Sequence, residues 1–116
     1  MTRLPAVLLL ALAGPAAGAT DAWVKPVLRD ALERAIYDYE VAGYCGLAGP
    51  AVEAGLAAIV ARLRREAGLD AAALDRARAQ AWKAARWEWE NRGLGGFRAW
   101  CRGEGRAAAA RLAGQR

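Results

Sequence analysis

Apolar residues recur every three to four positions from residue 25 to about residue 102, and no stretch alternates with the two-residue period of a strand. The pattern predicts an all-α chain. A first helix is expected over 25–42, with Pro26 in its first turn and Gly43 as its stop. Its stripe would be Leu28, Ala31, Leu32, Ala35, Ile36 and Tyr39. A second starts at Pro50, carries Val52, Leu56, Ile59, Val60, Leu63 and Ala67 on one face, and ends at Gly68. The third begins after Asp70 as N-cap and ends near Gly93, burying Leu74, Ala77, Ala81, Trp82, Ala85 and Trp89. A short fourth, over 96–102, presents Phe97, Trp100 and Cys101 together with Leu94, and Gly103 and Gly105 should break it. The expected fold is a small antiparallel helical bundle of three main helices plus that short fourth. One helical domain would span 20–105, leaving 106–116 as a basic Ala/Arg-rich tail, frayed or disordered.

The densest apolar run stands apart from this periodicity. Arg3 precedes an apolar stretch from Leu4 to Gly14, then the Gly14-Pro15 break and the small-residue site Ala17-Gly18-Ala19. Residues 1–19 therefore read as a secretory signal peptide cleaved before Thr20, and the run is too short for the roughly 20 residues of a spanning helix. The protein is expected to be exported, periplasmic or secreted, without stable membrane insertion. Export changes the meaning of the two cysteines. In an oxidising compartment a Cys45–Cys101 bridge is expected, the one intramolecular pairing open to them, against an intermolecular bridge or separate thiols. The 97 residues after the cleavage site lie near the lower limit for a self-sufficient core, so a staple would help. Tyr39, Tyr44, Phe97 and Trp100 should gather around the sulfurs as a lid on the bundle end.

Composition excludes more chemistry than it suggests. The chain has no His and no Ser, which removes the Ser-His-Asp triad, the Cys-His pair and every His-ligated metal or haem site. The cysteines are too far apart for a CxxC redox motif, and no Gly-rich phosphate loop is present. Asp38/Glu40 and Glu88/Glu90 are close in sequence, but residues two apart on a helix point about 200° from one another and cannot share a site. Thr20, freed by cleavage, would be an N-terminal nucleophile only with a site built around it. A non-enzymatic protein without cofactor or metal is expected.

Charge is uneven: three basic residues face six acidic ones over 20–60, and thirteen face six over 61–116. The basic half suits an anionic surface, although fifteen of the seventeen basic residues are Arg, as a G/C-rich coding bias would also produce. Arg62, Arg64 and Arg65 fit a favourable interaction with a helix C-terminus. The segment from Trp82 to Arg92 holds three of the five tryptophans. On a helical wheel Trp82 and Trp89 fall with Leu74 and Ala85 toward the core, and Trp87 falls on the opposite side. Trp87 is then either covered by the short last helix or exposed as a partner-binding residue with Lys83, Arg86 and Arg92. Nucleic acid is not expected as the ligand, since no recognised binding motif accompanies these residues.

The reading is an exported interaction module that binds a protein or an anionic envelope polymer through its basic, Trp-rich C-terminal half. In size, export, helicity and two well-separated cysteines, the chain also resembles small periplasmic helical proteins with one disulfide, including acid-stress chaperones of the HdeA type. Its Trp-rich basic half departs from that outline. The resemblance implies a chaperone that exposes apolar surface under stress, and without His the trigger would be carboxylate protonation below about pH 5.

Overall fold

Asp30 sets where the first helix begins. Its extended backbone leaves the carboxylate free to accept the Glu33 N–H at 2.8 Å, while Glu33 turns back to accept the Arg29 N–H at 3.1 Å. Two otherwise unpaired donors are thereby satisfied, so the helix starts at Ala31 rather than at residue 25. This is seen in a computed structural model, which describes residues 24–92 and 95–115. Residues 1–19, read above as a signal peptide, lie outside the described residues, as do Gly93 and Leu94.

Helix α1 (Ala31–Tyr44) runs through Gly43, and Gly46 at φ 70° turns the chain in its place. Helix α2 (Pro50–Ala67) has proline in its first turn and ends on Gly68 at φ 64°, as its sequence predicts. Asp70 accepts the Ala73 N–H at 2.8 Å and opens α3 (Ala71–Glu90). The largest departure comes last. Gly103 and Gly105 do not break the chain: α4 (Gly96–Trp100) passes through a π-helical turn (Cys101–Gly105) into α5 (Arg106–Ala113). The tail expected to fray is a helix with Ala108 and Leu112 buried.

Tertiary contacts explain that outcome. α1 lies at the centre and packs against α2, α3 and α5, and α5 also packs on α2. α1 and α3 run in one direction and α2 and α5 in the other, which makes an antiparallel bundle of four principal helices with α4 as the short link. Arg111 forks onto the buried Asp38, with Nε–Oδ2 at 2.9 Å and Nη2–Oδ1 at 2.8 Å, and that pairing holds its guanidinium pKa above the usual value. Two glycines let α5 come close. A Cβ on Gly55 would stand 1.8 Å from the Leu112 carbonyl oxygen, and one on Gly105 would stand 2.7 Å from the Cys45 sulfur.

Cys45 and Cys101 are joined, and the bridge ties the end of α1 to the π-helical turn. Around this end Tyr44 stacks on Trp89 at 4.8 Å, and Trp89 meets Phe97 at 5.4 Å and Trp100 at 6.1 Å. The aromatic lid forms, with Trp89 in the place that Tyr39 was expected to take. Residues 24–30 lie along α3, where Gln80 donates to the Val27 carbonyl at 2.9 Å and Lys25 pairs with the buried Glu88.

Candidate functional site

α2 and α3 are joined by only Gly68, Leu69 and Asp70, yet their backbones scarcely approach one another. Each packs on α1 instead. The space left between them is a trough of about 750 Å³, with Ile36, Tyr39 and Glu40 of α1 as its floor. Leu56, Ala57, Val60 and Ala61 form the α2 wall, and Leu74, Ala79 and Trp82 form the α3 wall. It is open along its length, since Ala57, Ala61 and Ala79 are exposed and Trp82 keeps 42% of its surface in water.

The two ends of the trough carry opposite charge. At the end nearer the disulfide, the Tyr39 hydroxyl donates to Glu53 Oε1 at 3.0 Å. That hydrogen bond, then desolvation and the neighbouring carboxylates, push the Tyr39 pKa up and keep the phenol protonated. Glu40 sits between the trough and a smaller depression of about 310 Å³ lined with Gly43, Tyr44 and Trp82. Among the described residues no cation pairs with it, and burial pushes its carboxyl pKa up. At the far end Arg64 has no carboxylate partner among the described residues, and Arg78 has only a loose 3.9 Å approach to Asp75.

Because burial penalises the ionised form of Glu40, the fold takes up its proton at a higher pH than the unfolded chain does. Its stability contribution is full at acid pH and declines as pH rises through the elevated folded value. Glu40→Gln is therefore expected to raise stability at neutral pH, by no more than about 0.5 kcal/mol because much of the side chain is in water. Below about pH 4 the gain should vanish. Thermal melts of both proteins at the two pH values check this, and a neutral-pH loss on substitution would mean that Glu40 is paired.

Of the sequence-derived candidates, Lys83, Arg86 and Trp87 lie on α3 and Arg92 lies just beyond its end. Trp87 is half-buried beneath Lys25, whose Nζ lies 5.6 Å from the ring centroid. Arg92 pairs with Glu88, donates to the Glu88 carbonyl at 3.1 Å and lies over the Trp100 ring at 5.1 Å. Lys83 is exposed beside a different depression, near Asp30 and Glu33. Arg86 pairs with Glu90 and lies over Trp82, 5.0 Å from the ring centroid.

Trp82, expected in the core, is instead the exposed tryptophan among the described residues. The face that α3 buries is Leu74, Ala77, Ala81, Ala84, Ala85 and Glu88, centred on alanines that let α3 approach α1 closely. A tryptophan next to that seam is pushed to its edge. The trough itself was missed, although Trp82 with Arg86 four residues on, beside the small residues of α2, was a visible signal. Comparison of the chain with protein families, with curated proteins and with solved structures found no match.

Proposed function

We propose that the protein is an exported, disulfide-stapled binding module without catalytic activity, and that its binding face is the trough beside Trp82. One observation carries the reading. The bundle completes its core without Trp82, which stands 42% exposed on the wall of an open apolar trough. A large aromatic left in that position gains by being covered, as interface tryptophans do. The trough's one hydrogen-bonded pair, Tyr39 with Glu53, favours a protonated phenol and so a donor rather than a nucleophile. A protein is favoured over an anionic polymer as partner, because the trough is walled mainly by apolar side chains, and Arg86, Arg92 and Arg111 already hold carboxylates.

The test uses 1-anilinonaphthalene-8-sulfonate, whose fluorescence reports apolar surface open to solvent. Native protein at neutral pH is expected to enhance it, and Trp82→Ala to reduce that enhancement about fivefold while changing stability by less than about 1 kcal/mol. Trp89→Ala, which removes the ring stacked on Tyr44, should cost about 3 kcal/mol yet leave probe binding by the folded protein unchanged. A native signal indifferent to Trp82→Ala would sink the reading. For export, the intact mass of protein recovered outside the cytoplasm is expected to begin at Thr20, and a species retaining residues 1–19 would count against it.

A second reading, an acid-activated chaperone, has one feature in its favour. Two buried carboxylates, Asp38 and Glu88, hold α5 and residues 24–30 in place by ion pairs. Loss of those pairs would release both segments and uncover apolar surface. That reading expects suppression of client aggregation only at acid pH, whereas the binding-module reading expects none.

A further inference from the structure

We infer that the trough receives a three-turn amphipathic helix of a partner protein, with a basic residue at its N-terminal end and an acidic residue at its C-terminal end. This rests on the trough being the binding face and adds what it binds. The shape comes first. Two helices wall an open trough over a third as its floor, which is the arrangement that admits a helix rather than encloses a small molecule. Glu53 and Arg64, at the two ends of the α2 wall, are eleven residues apart, or about 16 Å along the helix. Ala57 and Ala61 lie between them one turn apart and leave room for a neighbouring backbone.

Charge fixes the direction. Glu40 and Glu53 stand at one end, Arg64 and Arg78 at the other, and neither Glu40 nor Arg64 has an opposite charge beside it among the described residues. A helix laid with its N-terminus at the carboxylates and its C-terminus at the arginines has its dipole aligned with this field. A basic side chain in its first turn reaches Glu40 between Tyr44 and Trp82, and a carboxylate in its last turn reaches Arg64. The apolar stripe between them covers Leu56, Val60, Leu74 and the exposed ring of Trp82.

The experiment uses two hydrocarbon-stapled, fluorescein-labelled peptides of about 14 residues, with one Leu/Ile stripe and one composition. The first carries Lys in its first turn and Glu in its last, and the second carries them exchanged. Fluorescence anisotropy with the oxidised full chain is expected to show the first binding about tenfold more tightly. Trp82→Ala should weaken both peptides, and Glu40→Gln with Arg64→Gln should erase the difference between them. Equal binding of the two peptides overturns the assigned direction and charge. Binding of neither peptide, with the sulfonate probe still dependent on Trp82, overturns the helix while leaving the trough a binding face. Loss of the probe's dependence on Trp82 as well removes both readings. A concentration-dependent dimer abolished by Trp82→Ala would overturn the inference in favour of a second copy.

Discussion

Replacing Cys45 and Cys101 together by alanine is expected to lower the unfolding free energy by about 4 kcal/mol, the chain-entropy value for a loop of this length. The bridged residues are 56 apart in sequence, so the closed loop takes in α2, α3 and α4. A native domain has about 5–15 kcal/mol of stability in total, and a change of this size is a large share of it. The loss should be uneven. α1, α2 and α3 have apolar faces of their own and keep most of the far-UV helical signal at low temperature. α5 depends on the bridge to fix the turn from which it descends, and its amides are expected to lose hydrogen-exchange protection first. An unchanged melting temperature in the double alanine variant, or two free thiols by mass spectrometry of the native protein, would refute this account.

Gly55→Ala is expected to destabilise by about 3 kcal/mol, the upper part of the range for overpacking a close contact. Helix propensity alone argues for the opposite sign, because exchanging a mid-helix glycine for alanine gains about 1 kcal/mol. The contact decides. A Cβ at residue 55 would lie 1.8 Å from the Leu112 carbonyl oxygen and 2.5 Å from its carbon, and these are backbone atoms that no rotamer change can move. α5 must shift off α2, and the fully buried Leu112 shifts with it. Gly43→Ala is the control, since nothing lies within 4 Å of a Cβ there and it sits inside α1. It should stabilise by about 0.5–1 kcal/mol. Equal effects of the two substitutions in urea melts would mean that α5 does not dock on Gly55.

The features legible before folding are those whose physics is local. Pro50 and Gly68 bound α2, and Asp70 opens α3, because a fixed φ, a left-handed φ and a capping carboxylate each act within a few residues. The same reasoning applied to Asp30 and Glu33 would have begun α1 at Ala31. Pro26 drew the expectation to residue 25, where the chain is extended along α3. Gly103 and Gly105 read as breakers by propensity. Yet Gly105 is glycine because its bare face rests on the Cys45 sulfur, a contact between residues sixty apart. The candidate site suffered most. The wheel assigns Trp82, Trp87 and Trp89 by angle about a face that includes large side chains, whereas the burial of α3 is centred on Ala77, Ala81, Ala84 and Ala85.

What the sequence determined by itself is the helical class, the bounds of α2, the start of α3 and the pairing of two cysteines. Periodicity, caps and the arithmetic of one pair need no knowledge of neighbours. Only the tertiary structure decided that 106–113 is a helix, that Glu88 and Asp38 are buried with cationic partners, and that Trp82 stands at a trough. Each of these depends on how closely two helices approach. That distance is set by small residues such as Gly55, Ala81 and Ala85, whose importance lies in what their neighbours do with the space. A local reading sees an alanine or glycine as a weak signal, and in this bundle those residues place the large ones.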